Sequence, residues 1–352
     1  MDLRDYQPIA KLVTKVTQVD HPRFPVIDAH NHLGDEFGGG LIHHPLSELL
    51  DTMDQAGVRR LVDLDGMVSE EVLNLHLDRL KSRAPERFRV FGGVDWSAWP
   101  TQGDKFGEWA AARLRVQKAR GADGLKVWKP FGLQVCDQHG QLVAVDDTRL
   151  DPLWETAAEL DLPVAIHVAD PVAFFDPLDK YNERWEEIER NPDWHFESRH
   201  TNSGQANSRP PYPPFLFILE SLARLVERHP RTTFIGAHVG CYAENLGWVS
   251  ALLERCPNFY IDISARLGEL GRQPYSARRF FIKYSDRILF GTDMGLDIEG
   301  YRRHYRFLET DDEYFNYAEG EVPSQGRWYA YGLYLPDEVL EKVYYQNAEK
   351  VI

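Results

Sequence analysis

Short apolar runs rich in β-branched and aromatic residues recur along this chain, and longer segments of helical period separate them. The short runs fall at 25–30 (PVIDAH), 58–63, 88–94, 124–128 (GLKVW), 163–168 (PVAIHV), 233–237 (TFIGA), 259–263 (FYIDI) and 288–291 (ILFG). Helical period fits 45–55, 70–83, 106–120, 152–159, 215–227, 243–254, 277–284 and 337–350. Asp151 before Pro152 reads as an N-cap followed by proline at the first helical position. Eight strands, each followed by a helix, predict an α/β fold of the (β/α)₈ barrel type, a single domain over 1–352, rather than an open doubly wound sheet.

Two connections are too long to be plain linkers: 169–214 after the fifth strand and 294–335 after the eighth. Both leave strand C-termini, where a barrel places its site, and both are rich in aromatics (Phe174, Phe175, Tyr181, Trp185 and Trp194; Tyr301, Tyr305, Phe307, Tyr314 and Phe315). They are expected to form lids or substrate walls, with a homodimer surface as the alternative use.

Composition narrows the partners. The chain has 352 residues, and 40 Lys and Arg stand against 55 Asp and Glu, a net charge of −15. That charge disfavours nucleic acid and anionic membranes. No G-x-G-x-x-G follows the first strand and no P-loop occurs, so nucleotide binding has no support. The 3 cysteines show no C-x-x-C spacing, and there is no apolar leader or membrane-length run. A cytoplasmic enzyme acting on a small molecule is the expectation.

The candidate chemistry sits at strand ends. His30 and His32 close the first strand two residues apart, on one side of it. With 13 His in the chain, roughly 0.5 such H-x-H pairs arise by chance, so the position rather than the pattern carries weight. His167 ends the fifth strand, His238 the sixth and Asp293 the eighth. Each interrupts an apolar run at its C-terminal edge, where a polar group is costly unless it is used. Imidazoles with one carboxylate form a good site for zinc or a similar ion. Lys126 alternates with Leu125 and Val127 in the fourth strand and points inward.

The segments VIDAHNHLG, PVAIHVADP, FIGAHVG and LFGTDMG, in this order, resemble the amidohydrolase superfamily. The ending LPDEVLEKVYYQNAEKVI resembles its amidohydrolase-related branch, which includes aminocarboxymuconate-semialdehyde decarboxylase and several hydrolases. The resemblance covers residues 24–352. It implies that His30, His32, His167 and Asp293 bind a divalent metal, with zinc expected, manganese or another divalent ion as alternatives, and one ion favoured over two. It implies catalytic roles for His238, as an acid or base, and for Asp293. In binuclear relatives a fourth-strand lysine is carboxylated and bridges two metals, whereas here Lys126 is expected to bind a substrate anion or pair with an acid.

Arg266, aided by Lys129, Arg184 or Arg272, is a candidate grip for a substrate carboxylate, and Trp128 for a planar ring. Asp28 is expected to orient a ligand. Asp95, Asp170, Asp262, His139, His195 and His200 read as ordinary loop or network residues. The leading expectation is a hydrolase acting through metal-activated water on an amide, lactone or related bond of a small carboxylated cyclic or aromatic substrate. A non-oxidative decarboxylase is the alternative, and a barrel that binds without turnover is the third reading.

Overall fold

The computed structural model describes residues 6, 9–197, 210–320 and 322–352; His200 and part of the 169–214 connection lie outside them. Eight parallel strands follow one another around a single sheet in chain order. They are β1 (Val26–Asn31), β2 (Val58–Asp63), β3 (Phe88–Gly92) and β4 (Gly124–Val127), then β5 (Val164–Ile166), β6 (Phe234–Gly236), β7 (Phe259–Asp262) and β8 (Ile288–Leu289). Backbone bonds from Ala29 N to Phe290 O (2.9 Å) and from Asp293 N to His30 O (2.9 Å) join the last strand to the first, so the sheet closes into the expected barrel.

Alternation sorts the strand residues into two apolar layers. Ile27, Ala29, Val62, Ala165, Ile235 and Leu289 fill the interior. Val26, Leu61, Leu125, Val127, Val164 and Ile261 face the helices outside. Each buried aliphatic side chain contributes roughly 1.5–3 kcal/mol, enough in sum to hold polar groups at the rim in unfavourable positions. The terminal helix, Asp337–Glu341 continuing through π-helical Lys342–Gln346 into Asn347–Val351, stoppers the N-terminal ends of the strands. Asn347 Nδ2 donates to Ser285 O (2.6 Å) and Ile288 O (2.7 Å), and Ala348 packs into the interior layer. The opposite rim carries the polar residues.

Three local expectations change. The connection 294–335 is not a long loop throughout, because it contains the helix Ile298–Glu309, capped by Asp297 through Glu299 N. Its aromatics Tyr301, Tyr305 and Phe307 are buried core rather than substrate wall. The helix Asp151–Glu159 takes Asp151 into its first turn, and the capping carboxylate is Asp147, which accepts from Arg149 N in the preceding 3₁₀ turn. Segment 70–83 is α-helical over Glu70–His76 and π-helical over Leu77–Lys81. Among the described residues no helix is long and apolar enough to cross a membrane.

Candidate metal centre

His30, His32 and Asp293 each bring one donor atom within 4.8 Å of the others at the C-terminal rim. Asp293 Oδ1 lies 3.3 Å from His32 Nε2 and 3.7 Å from His30 Nε2, while Oδ2 lies 3.8 Å from His238 Nε2. His167 stands beside them, its ring edge-on to His238 at 4.5 Å. It is outside the tight three-residue group.

Carboxylates fix the imidazoles from behind. His30 Nδ1 donates to Asp262 Oδ2 (2.8 Å), and His32 Nδ1 donates to Asp65 Oδ1 (2.5 Å). Both rings therefore carry their proton on Nδ1 and turn Nε2 to the cavity, the arrangement a metal-binding histidine needs. Asp262 Oδ1 also accepts from His238 N (3.0 Å), Ser264 N (3.1 Å) and Ser264 Oγ (2.6 Å). His238 Nδ1 donates to the carbonyl oxygen of Ser264 (2.9 Å), so its Nε2 presents a lone pair toward Asp293.

Asp262, expected to be an ordinary network residue, is thus the central support of the site. Asp65, which no sequence pattern singled out, does the same for His32. Asp28 does not reach an imidazole. A register shift between Asp28 and Asn31 breaks the alternation, and Asp28 accepts instead from His30 N, Thr292 Oγ1 and Tyr301 Oη.

The backbone at the rim is strained. His238 (φ 57°) and Val239 (φ 61°) form a left-handed turn, and Asp293 (φ 59°) is also left-handed. Each such residue costs roughly 1–2 kcal/mol. Burial of Val239, the bond from His238 N to Asp262 and the bond from Asp293 N to His30 O offset that cost. Strain of this kind clusters at functional sites.

Electrostatics follows from the crowding. Burial alone would raise the Asp293 carboxyl, but His30, His32 and His238 hold it well below the usual carboxylate range. Burial opposes protonation of His32, yet Asp293 and Asp65 push it up to about 9. Burial lowers His167 to about 4 and, with His167 and Arg266 nearby, lowers His238 well below the ordinary imidazole value. These two imidazoles are neutral. His167 Nε2 is buried with no hydrogen-bond partner; Asp170 Oδ1, 3.3 Å away, is not aligned to provide one. An unpartnered buried nitrogen costs about 1–3 kcal/mol. A cation relieves that cost and the crowding of lone pairs around Asp293. The donor set of imidazole nitrogens and one carboxylate fits a divalent metal.

These residues line a cavity of about 250 Å³. Lys126 is buried in β4 with Nζ 3.3 Å from His30 Nε2, and burial lowers its pKa. Trp128 meets Phe37 edge-on at 5.0 Å along the wall, and Trp194 stacks on Phe174 at 6.1 Å. Arg266 borders the cavity and donates to Ala265 O (2.8 Å). The other proposed grips are engaged elsewhere. Lys129 pairs with Asp170 (2.7 Å), Arg184 with Glu187 and Glu269, and Arg272 with Glu183 (2.7 Å).

The model of a family described as amidohydrolase matches residues 27–352. No curated protein matches the chain. Among solved structures, the chain is similar to an uncharacterized TIM-barrel protein from Bordetella bronchiseptica (16% identity, TM-score 0.54, covering 93% of this chain and 97% of that one). It is similar to 2,6-dihydroxybenzoate decarboxylase from Rhizobium (16%, TM-score 0.52, 95% and 98%). It is also similar to dihydroxybenzoic acid decarboxylase from a Polaromonas species, solved with manganese and 2-nitroresorcinol (17%, TM-score 0.53, 93% and 96%). At these identities the likeness concerns the fold.

Proposed function

The chain belongs to the amidohydrolase family of metal-dependent enzymes, and from that premise we propose that it is a hydrolase of small carboxylated ring compounds. His30, His32, His167 and Asp293 would hold one divalent ion, zinc first by the donor set and manganese second. Such an ion supplies Lewis acidity, acidifying water and polarising a carbonyl.

The observation that carries the reading is the two-sided placement of Asp293. Its Oδ1 faces His32 and His30, and its Oδ2 faces the lone pair of His238 Nε2. A carboxylate so placed takes a proton from an attacking water and passes it to His238, which delivers it to the leaving group. The Ser264 carbonyl holds His238 in the tautomer able to accept that proton. Lys126 and Arg266 hold the substrate's negative charge, and Trp128 lies along its ring.

Non-oxidative decarboxylation is the second reading. It is favoured by the nitrogen donors of Lys126 and Arg266 in the cavity, which suit a substrate that keeps its carboxylate until reaction, and by the activities named for two of the similar folds. Turnover in ¹⁸O-water separates the two. Label in a product carboxylate supports hydrolysis; release of CO₂ with no label in the organic product supports decarboxylation.

A further inference from the structure

Among the described residues, the most exposed large aliphatic side chains lie together on one short segment. Ile9 is 80% exposed, Leu12 67% and Val16 65%, and Val13 is wholly exposed. The family model begins at residue 27, so this segment lies outside the matched barrel. Residues 9–16 form neither helix nor strand, and among the described residues their backbone makes no hydrogen bond to other backbone. The segment is nevertheless fixed at both ends. Arg327 Nη1 donates to Tyr6 O (3.0 Å), Lys15 Nζ pairs with Asp311 Oδ1 (2.6 Å), and Thr17 donates twice to Asp312. Polar atoms tie the segment to its own barrel while its aliphatic side chains stand in water. Such a row forgoes the gain of burial, and contiguous exposed apolar surface marks an interaction site.

A complementary surface exists on the same chain. A groove of about 640 Å³ opens between residues 172–183, after β5, and 242–245, after β6, with Val172 and Tyr242 in its wall. Asp176, Asp179, Glu183 and Glu244 border it, and among the described residues no lysine or arginine does. Of these acids only Glu183 is paired with a base among the described residues, namely Arg272. Tyr181 stands at the edge, 80% exposed. Residues 9–19 contain Lys11 and Lys15 and no acid, on a chain whose net charge is −15. An apolar basic segment and an apolar acidic groove therefore occur on one molecule, and opposite charge steers the two together. The bonds at Tyr6 and Thr17 hold the aliphatic row away from its own barrel, which leaves the groove of another copy as the surface it fits.

We propose that residues 9–16 of one copy dock in the groove of a second copy, and reciprocally, so that the protein is a homodimer exchanging its N-terminal segments. A two-fold exchange uses each segment and each groove once and closes on itself. Phe174 and Arg184, on the same connection as the groove, line the metal-facing cavity, so a docked segment steadies one wall of that cavity.

Sedimentation velocity on a dilution series of the purified full-length protein tests this. The wild type should be a dimer that dissociates on dilution, and more readily at high salt because the contact is partly ionic. Leu12→Ser with Val13→Ser, both at solvent-facing positions, should weaken the dimer at least about 100-fold and keep the circular dichroism spectrum. Tyr181→Ser with Asp176→Lys, in the groove, should weaken it comparably. An equimolar mixture of the two double variants should dimerise better than either alone, because one intact segment then meets one intact groove. A wild-type protein that stays monomeric at every concentration overturns the proposal and leaves the segment to its own groove, a membrane surface or a different protein. A dimer that either double variant leaves unchanged overturns it as well.

Discussion

Asp262 Oδ2 lies 2.8 Å from His30 Nδ1, and the two side chains are almost wholly buried. The same carboxylate takes the backbone N–H of His238 through its other oxygen, and Ser264 Oγ lies 3.0 Å from Nδ1 of both histidines. One acid at the end of β7 therefore sets the tautomer of His30, proposed to hold the metal, and the position of His238, proposed to transfer a proton. Asp262→Asn would present an amide N–H to His30 Nδ1–H and force the ring to turn or change tautomer. Metal affinity should fall about 10- to 100-fold in a chelator competition, with the circular dichroism spectrum kept. Unchanged affinity would mean that Asp262 only packs.

His238 is assigned to proton transfer rather than to the ion. His238→Gln should retain the metal and lose about 10²- to 10⁴-fold in kcat. Loss of the metal together with activity would instead make His238 a ligand.

Gly291 abuts the site where no side chain fits. A Cβ built there would come within 2.9 Å of His30 Cβ and 3.5 Å of Ser264 Cβ. Gly291→Ala should cost about 1–3 kcal/mol in denaturant unfolding, the range for an overpacked core, and should weaken metal binding by displacing His30. A variant as stable and as metal-competent as the wild type would show that His30 has room to move.

Asp312 ties the N-terminal segment to the barrel. It accepts from Thr17 N (2.7 Å), Thr17 Oγ1 (2.7 Å) and Arg306 Nε (2.7 Å). Burial works to raise its pKa, but these donors hold it below the ordinary carboxylate value. The unfolded carboxyl titrates near ~3.9. With the folded value lower, the stabilisation is complete above that pH and disappears as pH falls through the folded value. Asp312→Asn should therefore cost about 1–3 kcal/mol at pH 7, and the deficit should shrink in acid. Urea melts of both proteins at neutral and acidic pH check the sign; a deficit that grows in acid contradicts it.

The barrel was legible in the sequence because most strand residues are buried on both faces and so read as short apolar runs, as at 164–166 and 259–261. The polar rim was legible because His167, His238 and Asp293 interrupt those runs at their ends. The supports were not. Asp65 and Asp262 act on histidines that stand 33 and 232 residues away, and only the closed sheet makes them neighbours. Asp28 misled because alternation assumes an unbroken register, which β1 loses before His30. The helix Ile298–Glu309 hid behind arginines and tyrosines, although Tyr301, Tyr305 and Leu308 share one face at helical spacing. Lys129, Arg184 and Arg272 could not be told from Arg266 because ion pairing depends on which acids fold against each.

Metal content of the purified protein tests the central claim most directly. Elemental analysis after exhaustive dialysis should find about one divalent ion per chain, and the ion should be lost in His30→Ala, His32→Ala, His167→Ala and Asp293→Ala variants that keep their helical spectrum. A wild-type protein that is folded, active and free of stoichiometric divalent metal would contradict the account.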